Sequence, residues 1–101
     1  MNNFIIRKAV KDDIPKINKV NREVLSENYD LEFYHELLAS QYTSSYVAIS
    51  EEEIVGYIIG DLEINCRNQI HCHIISIAIL ENYRKRGIGK KLMEKVEEDQ
   101  K

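Results

Sequence analysis

Hydrophobic positions change period several times along the chain, and each change marks an element. Phe4 to Val10, with Ile5 and Ile6 at its centre, reads as a first strand. Ile14, Ile17, Val20 and Val24 or Leu25 then recur at helical spacing. Asp12 or Asp13 caps that helix, Pro15 is tolerated in its first turn, and its predicted end is near Glu23. L-S-E-N-Y-D has turn residues together with an acid and an aromatic. A short helix follows from about Leu31 to Ala39, with Phe33, Leu37 and Leu38 as its apolar side. Tyr46 to Ile49 and Ile54 to about Ile64 read as two strands of a hairpin, joined by the acidic turn Glu51–Glu53. Polar residues from Cys66 to Gln69 lead into a strand from Ile70 to Leu80. The predicted order is β-α-α-β-β-β-α, an α/β chain with a mixed α+β sheet rather than a doubly wound one.

The most informative stretch runs from Ile74 to Val96. I-I-S-I-A-I-L is β-branched and apolar, and Ile88, Leu92, Met93 and Val96 share one side of a helix. Between them lie the cations Arg84, Lys85 and Arg86 and two glycines. A strand, a basic glycine turn and a helix start form an anion site, because N–H groups at a helix N terminus lack intrahelical partners and the dipole there favours negative charge. A Walker loop is excluded, since Gly89-Lys90 is followed by Lys91. The dinucleotide fingerprint also fails, with Leu92 in its third glycine position. What remains, Arg84-x-x-Gly87-x-Gly89, resembles the pyrophosphate-binding motif of the GNAT acetyltransferases, which use acetyl-CoA.

The resemblance sharpens elsewhere. L-S-E-N-Y is similar to the Leu-Pro-Glu-Asn-Tyr loop of the N-terminal (α-amino) protein acetyltransferases, with Ser26 in place of the usual Pro. H-C-H-I-I-S-I-A-I resembles the H-G-H-I-x-S-L-A-V strand of the same group. The resemblance implies a GNAT fold and acetyl transfer from acetyl-CoA to protein N-termini, in a ternary complex. It implies Glu27 as the catalytic base, Tyr29 as a wall for the peptide, and His73 as a catalytic and substrate-lining residue. It further implies that backbone groups of Ile77, Ala78 and Ile79 bond the pantetheine arm and the thioester oxygen. Arg84, Lys85, Arg86, Gly87, Ile88, Gly89 and Lys90 would surround the pyrophosphate. The chemistry suits an α-amine, whose pKa is about 8 against about 10.4 for lysine, so that a modest base suffices. Alternative readings are a non-catalytic CoA-binding or assembly fragment, and an acetyltransferase for a small-molecule amine or lysine.

Strand alternation puts His71, His73, Ile75, Ile77 and Ile79 on one face, with Cys72 turned away from the histidines, so no metal site is expected. Ser76 reads as a strand residue with a satisfied hydroxyl, not a nucleophile. The 101 residues suit one domain, 1–101. A net charge of −3 argues against nucleic acid as a direct partner, and the absence of a long apolar run argues against a membrane one. Two cysteines make no disulfide framework, which suggests a reduced, cytoplasmic setting. An auxiliary subunit or ribosome association is allowed by the resemblance. Family members continue with a further strand, a helix bearing a tyrosine that protonates the thiolate, and closing strands. The expectation is therefore a fragment of a longer enzyme, with an exposed strand edge through which copies form a homo-oligomer.

Overall fold

The alternating segments pair in chain order. In the computed structural model, which describes residues 3–25, 30–64 and 66–99, β1 (Ile5–Lys8), β2 (Thr43–Ser50), β3 (Glu53–Ile64) and β4 (Ile70–Ile79) form an antiparallel sheet. Three helices, α1 (Ile14–Val24), α2 (Leu31–Ala39) and α3 (Ile88–Glu98), complete the described architecture. The order is that expected from the sequence. Glu51 and Glu52 both have positive φ, 54° and 66°, and make the two-residue turn between β2 and β3.

The sheet is covered on both sides. On one face Ile14, Ile17 and Val20 of α1 and Tyr34 of α2 pack against Val47, Tyr57, Ile59 and Ala78. On the other, Ile88, Leu92 and Val96 of α3 pack against Tyr46, Ala48, Val55 and Ile58. Each buried branched side chain contributes about 1.5–3 kcal/mol relative to exposure, so the two helices that carry most of them hold the sheet between them. The apolar side expected for α2 omitted Tyr34, which is completely buried, whereas Leu37 and Leu38 are only half-buried.

Two register shifts break the alternation. One inserts Val55 between the pairs Ala48–Gly56 and Ile49–Ile54. The other inserts Ile75 between Ile59–Ser76 and Gly60–Ile74. This second bulge corrects the expected grouping of β4. Ile75 packs on the α1 face while Ile77 and Ile79 pack on the α3 face, with Cys72 and Ile74. His71 and His73, alternating with Cys72 and Ile74, share the α1 face with Ile75. The extra residue reverses the phase of everything after it.

Asp12 or Asp13 was expected to cap α1; Asp13 stands at that position, and its side chain has other work. It occupies the cap position of α1 without bonding that helix's N–H groups. Its carboxylate accepts from both Arg7 guanidinium nitrogens at 2.8 Å and from the Val10 N–H at 2.8 Å, tying β1 to the start of α1. At the far end of α3, Asp99 accepts from the Ser44 hydroxyl at 2.5 Å and the Tyr46 phenol at 2.8 Å. Burial, aided by Asp99, pushes the Tyr46 phenol up to about 12.

The Arg7 hydrogen bonds hold the Asp13 carboxyl below its ordinary range, outweighing its burial, and the Val10 N–H adds to the effect. A lowered folded-state pKa contributes stability that is complete above the unfolded value and disappears as pH falls through the folded one. Asp13→Asn is therefore expected to cost about 1 kcal/mol near neutral pH, discounted because Arg7 is partly exposed. The gap from the unsubstituted chain should close on acidification. Thermal melts of both chains across the acid range check this; a gap independent of pH would contradict it.

Candidate active site

The residues after β4 build the junction that feeds α3. Glu81–Tyr83 make one 3-10 turn, and Arg84 is extended. Lys85 then has φ 65° and Gly87 φ 82°, and Gly87 caps α3. Two left-handed residues this close reverse the backbone sharply. The first intrahelical bond that reaches back to the cap runs from Lys91 N–H to Gly87 C=O at 3.1 Å. The N–H groups of Ile88, Gly89 and Lys90 precede it and have no acceptor within the helix. A Cβ built on Gly87 would meet nothing within 4 Å, so the glycine is required by its φ and faces open space. That is the form an anion cradle needs.

Gly89 has a different reason. A Cβ there would lie 3.1 Å from Ile79 Cδ1, so the missing side chain lets the first turn of α3 sit close over the end of β4. The surrounding cations are mostly exposed: Arg84, Lys85 and Lys90 reach solvent, and Arg86 is half-buried. Arg86 lies over the Tyr83 ring at 5.0 Å. The Arg84 Nε–H donates to the Ile79 carbonyl at 3.2 Å, which braces the turn against the strand. Lys91 pairs with Glu94 at 3.4 Å.

A cleft of about 480 Å³ opens beside this junction, lined by Glu23, Val24, Leu80, Glu81, Asn82, Tyr83 and Arg84. It lies between the end of α1 and the start of the turn. It touches the basic run only through Arg84, and Gly87–Lys90 do not line it. The cradle is thus a surface feature with a half-open cleft next to it.

β4 connects this end of the site to the other. It is the last strand of the sheet order, so among the described residues no strand pairs with its outer edge. Ile77, Ala78 and Ile79 lie just before the turn, with Ala78 buried on the α1 face. His73 lies exposed further back, opposite Asp61. At the rise of an extended strand, His73 is roughly 20 Å from Ile79. A ligand that met both the cradle and His73 would be extended, with a long arm along β4. His71 is engaged elsewhere, 3.1 Å from Glu63. Glu27 and Tyr29 lie outside the described residues. Burial pushes the Cys72 thiol up, and the side chain sits on the α3 face.

Sequence reasoning missed a buried polar chain under β4. The Asn21 Nδ2–H donates to the Tyr57 hydroxyl at 2.8 Å, and that hydroxyl bonds the Ser76 Oγ at 2.7 Å. Ser76 thus has the satisfied hydroxyl expected of it. Asn21 follows Ile14 and Ile17 on the apolar face of α1, and that polar residue at a core position was the available signal.

The sheet, the two covering layers and the glycine-capped helix define a mixed α/β domain built around a basic strand-to-helix turn. Solved structures share that fold. Arabidopsis thaliana NAA60 in complex with a bisubstrate analogue superposes with a TM-score of 0.83 at 19% identity, over 96% of this chain and 66% of that one. The aminoglycoside 6'-N-acetyltransferase AAC(6')-Ih from Acinetobacter baumannii gives 0.83 at 14%, over 97% and 71%. Residues 11–100 match the acetyltransferase (GNAT) family, and the chain belongs to it. A curated relative, the N-alpha-acetyltransferase of Sulfolobus acidocaldarius, is 39% identical over 99 residues, covering 91% of this chain and 59% of that protein. The N-terminal acetyltransferase A complex catalytic subunit NAA10 of Arabidopsis thaliana is 37% identical, over 87% of this chain and 46% of that protein. The chain thus spans about half the length of these relatives.

Gly87→Ala meets no steric obstacle, so its cost is that of the left-handed backbone, about 1–2 kcal/mol. The melting temperature should fall by about 4–16 °C. Scanning calorimetry that found no change would show that the turn does not hold Gly87 at positive φ.

Proposed function

We propose that this chain carries the acetyl-CoA site of an enzyme that acetylates the α-amino group of protein N-termini, in a cytoplasmic setting. The observation that carries the proposal is the open cradle at Gly87, where helix N–H groups and cations follow directly from a strand whose outer edge no strand pairs among the described residues. The cradle fits a pyrophosphate: nothing stands within 4 Å of where a Gly87 Cβ would be, and cations surround it. Bound there, acetyl-CoA supplies the activated acetyl thioester.

The roles of the chain's own groups follow. Gly87, Ile88, Gly89 and Lys90 offer backbone N–H groups to the phosphates, and Arg84, Lys85 and Arg86 offer charge. Backbone groups of Ile77, Ala78 and Ile79 on the outer edge of β4 hold the pantetheine arm and the acyl oxygen. Donors fixed in advance where charge develops are worth more than the same groups in water. Glu27 accepts a proton from the incoming amine, directly or through a water, and His73 on β4 assists. Tyr29 walls the peptide mouth. The curated relatives, named N-alpha-acetyltransferases, support the protein N-terminus as acceptor; an auxiliary subunit belongs to the same proposal. Among the described residues, no helix is long and apolar enough to cross a membrane.

Calorimetric titration with acetyl-CoA, beside a variant carrying bulky residues at 87 and 89, tests the cofactor half. Micromolar binding lost in the variant is expected; equal binding by both would place the cofactor elsewhere. Transfer to peptides with free and blocked α-amines tests the acceptor half. Glu27→Gln should lower transfer about a hundredfold, and blocked peptides should not react. Acetylation of a lysine-bearing blocked peptide would overturn the acceptor assignment.

A further inference from the structure

The buried chain Asn21–Tyr57–Ser76 joins three elements at one place, the bulge of β4. Asn21 and Tyr57 are fully buried and Ser76 is 7% exposed. All three polar groups lie on the α1 face, surrounded by Ile17, Val20 and Ile59 of the same core. Such a cluster adds little net stability, because each hydrogen bond replaces one to water and an apolar set of similar volume would serve as well. Among the described residues the buried Asn21 Oδ1 has no hydrogen-bond partner. What the polar chain supplies is direction. Ile74, Ile75 and Ile77 are all apolar and pack on one core or the other, so burial alone discriminates weakly between a bulge at 75 and one at a neighbouring residue, whereas a hydroxyl that must meet another at 2.7 Å does not allow the shift.

Ser76 is the residue immediately after the inserted Ile75, and it pairs with Ile59. Tyr57 reaches it from β3, two residues from that pair, and Asn21 fixes the Tyr57 hydroxyl from α1. On the opposite face Gly60 marks the same point: a Cβ there would collide with Cys72 Sγ. Cys72 thus packs closely on Gly60 on one face, while Ser76 is held by hydrogen bonding on the other.

We infer that Asn21, Tyr57 and Ser76 are positioning residues, which lock the β4 bulge and so fix the register in which Ile77–Ile79 meet the pantetheine arm. None of them touches the reacting atoms. The inference rests on acetyl-CoA lying along β4, and its test separates the two.

Tyr57→Phe keeps the ring in the core and removes the hydroxyl; Ser76→Ala is a milder second variant should the first fold poorly. Two readouts apply to each. Amide hydrogen exchange should accelerate about tenfold or more at 75–77 while the β2 amides and α3 are unchanged. Acetyl-CoA should bind about tenfold more weakly, while 3'-phospho-ADP, which reports on the cradle without a pantetheine arm, binds as before. Exchange that rises uniformly through the sheet would overturn the inference, because the relay would then be ordinary core. Equal loss of acetyl-CoA and 3'-phospho-ADP would overturn it too. If the unsubstituted chain bound neither compound, the acetyl-CoA assignment would fall, and the exchange pattern alone would decide whether the relay locks the bulge.

Discussion

The extra residue at Ile75 is the constraint on which the rest of the site depends. A regular β4 would put His73, Ile77 and Ile79 on one face, and would turn Ser76 and Ala78 toward α3 in place of two isoleucines. With the bulge, Ile77 and Ile79 turn under α3 while His73, Ser76 and Ala78 stay on the α1 face. Gly89 then approaches Ile79 closely, so the N terminus of α3 is set by the strand it follows. The cradle, the strand edge and the α1 face come into one line because one residue was inserted.

The two ends of that line are held by different forces. At the cradle, geometry is imposed by backbone conformation, with Lys85 and Gly87 left-handed and Arg84 braced on the Ile79 carbonyl. In the middle, it is imposed by hydrophobic layers pressing from both faces, with the Asn21–Tyr57–Ser76 chain adding direction. Arg7–Asp13 and Asp99 with Ser44 and Tyr46 tie down the elements that flank the sheet. Arg84, Lys85 and Lys90 beside the turn are left to face solvent, which suits the anion site proposed there.

Much of this was legible in the sequence. Leu31–Ala39 agrees with the expected bounds of the second helix, since Asp30 caps it by accepting from the Phe33 N–H and no competing signal lies nearby. The glycine turn and the apolar stripe of α3 were equally plain, because both are local patterns. The bulges were not legible, because an inserted residue is defined by what pairs across the strand, and the packing of the Cys72 side chain on Gly60 is a long-range fact. Asp13 looked like a cap because its partner Arg7 belongs to a different element. The L-S-E-N-Y motif, which carries Glu27 and Tyr29, lies outside the described residues, so the acceptor side rests on resemblance to N-alpha-acetyltransferases.

Backbone amide chemical-shift mapping during titration with coenzyme A tests the central claim most directly, because it reports ligand position residue by residue without requiring turnover. The account predicts the largest changes at 77–79 and 85–90, with the β1 edge and α2 unaffected. Saturable binding with changes confined to other elements, and none at Gly87 to Lys90, would contradict it.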